Sequence, residues 1–221
     1  MAGEKHRQFI APPNVELNPP PISIVVSYEW ERGIADGSSK TIKPVRQHTR
    51  WNKIKALVNG TLSSVQKRAQ RNPGLHQLHI QVRRLRGQHG MALLPNLRKR
   101  ISGADVMLVD LGSDHGVSNV NSNVLLELGM ALYDDKLDQG SLFIFKPKSV
   151  KWPSDLDGIF YSEYEPTFVV NKSMKLMDRA GFDAALRSRL LEIARERGMF
   201  GGTTRNKVEF EDESADQIRF R

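Results

Sequence analysis

The residues with most chemical potential fall in one stretch, ISGADVMLVDLGSDHGVSNVNSNVLLELGMAL, residues 101–132. Val106, Leu108 and Val109 spell a short apolar strand, and Asp110 falls near its carboxyl end. A polar loop follows, and Glu127 lies in the first turn or two of the helix that opens next. In an open parallel α/β sheet, ligands bind in the crevice beyond the carboxyl ends of the strands. Two carboxylates beside a loop of Ser and Asn therefore form a candidate sugar or nucleotide site. Ser27 and Tyr28 close an earlier apolar run, with Trp30 just beyond, so topology brings them to the same rim.

Each of these residues also has a plainer reading. Glu127 could be an ordinary acid near a helix start, where the macrodipole favours it by roughly 0.3–1 kcal/mol. A capping box needs the acid three residues after the cap. With Asn123 as cap, Glu127 is four residues on, so that bond does not explain it. It is flanked by Leu125, Leu126 and Leu128, and Gly129 follows at a cost to the helix of about 1 kcal/mol relative to Ala. Such a carboxylate reads as placed for function. Asp110 could simply bond the backbone of its own loop. Asn121 and Asn123 suit hydroxyl binding but also ordinary loops and caps. Tyr28 and Trp30 offer a stacking wall for a base, or edge packing. His76, His79 and His89 lack the one-face spacing of a metal site, and there is no Cys.

The elements that must position this rim alternate strand and helix. Ile22, Ile24, Val25 and Val26 predict the first strand. Trp51, Ile54, Val58, Leu62, Val65 and Ala69 recur at helical spacing, ended by Asn72-Pro73-Gly74. Leu78, Ile80 and Val82 alternate with polar residues as a half-exposed strand. Met91, Leu94, Leu97 and Ile101 mark a helix stopped at Gly103, followed by a strand over 105–111 and a helix over 124–136. Leu142 to Phe145 and the shorter Ile159-Phe160-Tyr161 predict the last two strands. Phe182, Ala185, Leu186, Leu190 and Ile193 predict the last helix, with Gly198 past its end. This order predicts a doubly wound α/β fold with a five-stranded parallel sheet and helices on both faces. Right-handed crossovers put all strand carboxyl ends on one edge. The expected organisation is a disordered Pro-rich arm over 1–21, one domain over 22–200, and a polar, acidic tail over 201–221.

Composition narrows the class. The 221 residues suit one domain of roughly 150–200 residues with tails. No apolar run approaches the ~20 residues that span a bilayer, so the expected location is cytoplasmic with no membrane partner. The formal charge of +8 is uneven: residues 37–104 hold fifteen Lys and Arg and no Asp or Glu, leaving −7 elsewhere. That field attracts phosphates, nucleic acid or an acidic surface, or is a solvated face balanced by Glu209, Glu211, Asp212 and Glu213. No Gly-Lys-Ser/Thr phosphate loop, Gly-rich dinucleotide fingerprint or nucleophile elbow is present.

ADVMLVDLGSDHGVSNVNSNVLLELGMAL resembles the core of the TIR-like nucleotide-binding families and of the related nucleoside 2-deoxyribosyltransferases, in which an Ala-Asp strand leads to a helix with a Glu-Leu-Gly step. ISIVVSYEW is similar to the first TIR strand and its Ser-Tyr loop, and PSDLDGIFYSEYEP to the final strand region, so the resemblance spans roughly residues 22–197. It implies a flavodoxin-like fold that cleaves or exchanges an N-glycosidic bond, with the glutamate matching Glu127 acting at the sugar. The expected activity is N-glycosidase action on NAD or a nucleoside or nucleotide, in an effector of bacterial defence. NAD then serves as substrate, and no cofactor or metal is expected. The alternative is a non-catalytic nucleotide-sensing domain that signals by assembly or to a partner protein. A third reading is nucleic-acid binding through segment 37–104. A homo-oligomer is expected, its +15 and −7 segments meeting head to tail between copies.

Overall fold

The structure is a computed structural model that describes residues 19–28, 49–70, 78–85, 93–112, 120–151, 156, 159, 161–165, 174–199 and 207–210. Strands β1 (Ile22–Ser27), β2 (His79–Arg84), β3 (Val106–Asp110), β4 (Leu142–Pro147), β5 (Tyr161–Tyr164) and β6 (Lys207–Phe210) form one sheet in the order β5-β4-β3-β1-β2-β6. Every pairing in it is parallel. Helices α1 (Thr49–Gln70), α2 (Leu93–Ser102), α3 (Ser122–Leu132) and α4 (Arg179–Glu196) supply the crossovers and covering layers.

Parallel strands covered on both faces read as continuous apolar runs. All five residues of β3 and all six of β4 are buried accordingly. Alternate side chains of the central strand β1 enter two separate cores. Ile22, Ile24 and Val26 pack with Trp51, Ile54, Val58 and Leu62 of α1 and with Phe182, Leu186 and Leu190 of α4. Val25 points the other way, with Met107 and Val109 of β3, toward Leu97 and Ile101 of α2 and Val124 and Leu128 of α3. The flavodoxin-like α/β fold expected from the sequence is thus present, with helices on both faces. Among the described residues no helix is long and apolar enough to cross a membrane.

Several element boundaries differ from the sequence reading, among them the strand read over 105–111, which is Val106–Asp110. The 124–136 helix begins earlier, at Ser122, because the Asn121 side chain rather than Asn123 accepts the first-turn amide, from the N–H of Asn123. It also ends earlier, at Leu132, where Asp134 Oδ1 accepts from the Lys136 amide and turns the chain. The fifth strand runs over Tyr161–Tyr164, with Ile159 buried just before it.

The largest difference is a sixth strand inside the segment read as a polar tail. Lys207–Phe210 pairs with β2 from His79↔Lys207 to Val82↔Phe210. Four residues holding only two apolar side chains give too short a pattern to separate from a tail. Tertiary contacts supply what the pattern lacks. The Phe210 ring meets Trp51 edge-on at 6.5 Å between centroids, and Lys55 Nζ lies 5.1 Å from its centre. His79 Nε2 lies 3.0 Å from a Glu209 carboxylate oxygen. Since Phe210 is only partly buried, Phe210→Ala should lower stability by about 1–2 kcal/mol, read from urea denaturation midpoints. A shift within error of zero would mean that β6 adds nothing to the sheet's stability.

Candidate functional site

Strand order reverses between β1 and β3, since β1 leads out to β2 while β3 returns to pair on the other side of β1. The helices after β1 and β3 pass to opposite faces there, which leaves a crevice at the carboxyl ends of the two strands. Ser27 is the last residue of β1 and Asp110 the last of β3. These two predicted site residues therefore share the switch point, with Glu127 brought in by α3.

The two acids at this rim have different surroundings. Asp110 is fully buried and bonded on both oxygens. Its Oδ2 accepts from Arg50 Nε at 2.6 Å. Its Oδ1 accepts from the Tyr164 hydroxyl at 2.8 Å and the Gly112 amide at 2.9 Å. Arg50 also donates to the Tyr164 oxygen at 2.6 Å. Burial first, and the Asp110 charge second, hold the Tyr164 phenol well above its usual pKa, so it stays a donor. The chain passes so close to this cluster that a β-carbon at Gly112 would sit 1.9 Å from an Arg50 nitrogen and 2.0 Å from the Tyr164 oxygen. The backbone-bonding alternative for Asp110 thus accounts for one of its contacts, and Arg50 and Tyr164 account for the others. Neither had a local signal, because each lies 54 or more positions from Asp110.

Glu127 lies in the second turn of α3, six residues past the Asn121 cap. It is only 7% exposed. Ser27, which is fully buried, donates its hydroxyl to Glu127 Oε2. Among the described residues this is the hydrogen bond it makes, and no ion pair compensates its charge. Burial therefore dominates: it pushes the carboxyl up from 4.5 to about 7, against a smaller lowering by the Ser27 bond. The helix dipole acts mainly within the first turn and offers little here.

The other predicted residues are less clearly drawn in. Tyr28 is buried and stacks on Trp51, 6.1 Å between centroids and 12° between planes. Arg84, also buried, lies over the same indole at 5.4 Å. The Tyr28 ring is thus engaged in edge packing within the protein. Asn121 caps α3 and Asn123 is exposed in its first turn. Trp30 lies outside the described residues. In the basic segment, Arg50 and Arg84 are buried, so they do not belong to a solvated anion-binding face, whereas Arg98 and Lys99 of α2 are exposed.

Two predictions follow from the contrast between the acids. Arg50→Ala leaves a buried carboxylate uncompensated and should cost about 3–5 kcal/mol, measured by denaturant unfolding; a loss below about 1 kcal/mol would show that Asp110 is not held as an ion pair. For Glu127 the folded chain keeps a proton that the unfolded chain releases. Stability from this group is therefore greatest below pH 4.5 and falls as pH rises to about 7, by up to ~3 kcal/mol. Glu127→Gln keeps a partner for Ser27 without the charge. It should be more stable than the parent at pH 8, with a flatter profile between pH 5 and 7. Parallel profiles for parent and variant would refute the assignment.

With the geometry in place, comparison with known proteins adds one finding. The family profile described as "CAP12/Pycsar effector protein, TIR domain" matches residues 57–166. That range runs from within α1 through β5 and contains Asp110, Gly112, Glu127 and Tyr164. The match falls on the TIR part of the resemblance and lends nothing to the deoxyribosyltransferase part. Curated proteins give no match. Sheet order, switch-point rim and profile match together show that this chain carries a TIR-like domain, similar to that of the CAP12/Pycsar effectors.

Proposed function

We propose that the rim at Ser27 and Glu127 cleaves the C1′–N glycosidic bond of a nucleotide, with NAD the preferred substrate. The observation carrying this reading is a carboxyl group held against its own solvation, with no cation beside it among the described residues. A fold that gives up stability to bury an acid at a ligand-binding rim is arranged for a ligand. Breaking the bond builds positive charge on C1′ and the ring oxygen. A desolvated carboxylate opposes that charge far more strongly than a solvated one.

One acid suffices only if the departing base needs no proton. The nicotinamide nitrogen of NAD is already cationic. When the C1′–N bond breaks, its electron pair goes to that nitrogen and neutral nicotinamide leaves. Water then adds its oxygen to C1′ and releases a proton. A neutral purine nucleoside would also need a general acid, and Glu127 cannot be anion and acid in one step. The cationic ring would also draw the Glu127 carboxyl toward its ionised form on binding. Ser27 holds that side chain by one oxygen. The similarity to effector proteins supports a role as the effector of a bacterial defence system.

Nicotinamide release from NAD by the purified protein is the test. Glu127→Gln should lose at least ~100-fold in rate, and kcat/KM of the parent should rise with pH through about 7 as the free carboxyl ionises. Equal release by parent and variant would overturn the mechanism. The exposed Arg98 and Lys99 on α2 favour a second reading, a nucleotide sensor without turnover. Tight binding of a polyanionic nucleotide that weakens with salt, with no base released from any nucleotide, would select it.

A further inference from the structure

The two side chains that hold the acids of the rim each precede an aromatic residue, and those two aromatics meet. Ser27 reaches Glu127, and Arg50 reaches Asp110. Tyr28 and Trp51 follow them directly in the chain, and their rings stack at 6.1 Å with 12° between planes. Successive side chains of an extended chain point to opposite faces. Ser27 turns toward α3, where it meets Glu127, and Tyr28 turns toward α1, where it meets Trp51. What fixes the Tyr28 ring therefore also fixes the aim of the Ser27 hydroxyl. The contact falls just beyond Ser27, where β1 ends.

Trp51 is in turn held from the edge of the sheet. It is fully buried, with the Arg84 guanidinium of β2 at 5.4 Å and the Phe210 ring of β6 edge-on at 6.5 Å. Lys55, four residues after Trp51, lies 5.1 Å from the centre of the same phenyl ring. Phe210 thus sits against one face of α1, between two side chains one turn apart. β6 has four residues, and among the described residues it pairs only with β2. A short edge element with few buried contacts is among the first to open in a folded domain. Its one aromatic side chain is placed on the indole that Tyr28 stacks against.

We propose that Phe210 is a positioning residue for the rim: through Trp51 and Tyr28 it keeps the Ser27 hydroxyl on Glu127. The path runs from Phe210 to Trp51 to Tyr28 by ring contact, then one peptide step to Ser27 and a hydrogen bond to the carboxylate. Aromatic pairs hold preferred relative orientations, so removing one ring frees the next to shift. A hydroxyl displaced by about 1 Å no longer bonds its carboxylate with good geometry. The edge strand β6 thereby serves the site although it touches no ligand. Its value to catalysis rests on the reading of Glu127 given above, whereas the path from ring to carboxyl does not, and the two are tested apart.

Carbon NMR of labelled glutamate carboxyls, with the Glu127 signal assigned by its loss in Glu127→Gln, follows this titration without any turnover. All variants are compared well below their unfolding transitions. Ser27→Ala removes the bond that favours the ionised carboxyl and should move the midpoint up from about 7. Phe210→Ala should move it the same way, and should add nothing in the Ser27→Ala background. Phe210→Tyr keeps the ring, and Val208→Ala weakens the same strand with the ring still present; both should leave the midpoint in place. In nicotinamide release from NAD, Phe210→Ala should lower kcat about 10-fold or more with KM little changed, and Phe210→Tyr should restore it. A midpoint that Phe210→Ala leaves unchanged overturns the proposal. So does a shift as large in the Ser27→Ala background as in the parent, or an equal shift from Val208→Ala, since either marks a general loosening of the sheet. A parent that releases no nicotinamide would sink the reading of Glu127, while the titration still decides the ring path.

Discussion

The rim of this domain depends on one buried carboxylate. Asp110 is removed from water at the carboxyl end of β3, at a solvation cost of several kcal/mol that only good partners can offset. Arg50 arrives from the first turn of α1, Tyr164 from the last residue of β5, and the Gly112 amide from the turn after β3. One side chain thus ties a helix on one face to two strands of the sheet and to the chain entering the polar loop. The missing side chain at Gly112 is part of the same constraint, since the cluster occupies that space. Contacts of this kind specify geometry: Arg50 presents two nitrogens in a fixed plane and fits one orientation of the carboxylate.

Against that fixed point, Glu127 is the opposite case. Both acids belong to elements that meet at the switch point, and both are withdrawn from solvent. Asp110 has a guanidinium, a phenol and an amide, whereas Glu127 has one serine hydroxyl among the described residues. The cost of the second burial is not recovered among the described residues, which is why burial pushes the Glu127 carboxyl up to about 7. At the amino end of the sheet acids are used differently. Asp105 accepts from the Ser23 amide at 2.7 Å and pairs with Arg197, so that rim is closed by internal bonds. The chain keeps its uncompensated acid at the carboxyl edge, where an open α/β sheet receives ligands.

Helix α3 joins these themes. Its inner face delivers Glu127 and packs Val124, Leu128 and Ala131 into the second core. Its outer face leaves Leu125, Leu126 and Leu132 exposed. Short-range packing is stiff, and a change on one side of a helix is felt on the other.

Much of the scaffold was legible in the sequence because it rests on local periodicity. The apolar runs at Ile22–Val26, Val106–Val109 and Leu142–Phe145 could be little else than buried strands, and the i, i+3, i+4 spacing from Trp51 to Val65 could face only one core. Alternation of the two types required a parallel sheet, and a parallel sheet required a common rim holding Ser27, Asp110 and the start of α3. The sequence by itself therefore determined the fold class and which residues meet at its edge. Tertiary structure alone decided what those residues became. Arg50 and Tyr164 reach Asp110 across 60 and 54 positions, Ser27 reaches Glu127 across 100, and β6 joins β2 through a pairing no local pattern announces. Charge state follows from solvation, and solvation follows from burial by residues distant in the chain. Two acids that look alike in sequence thus became a structural anchor and a carboxyl poised near neutrality.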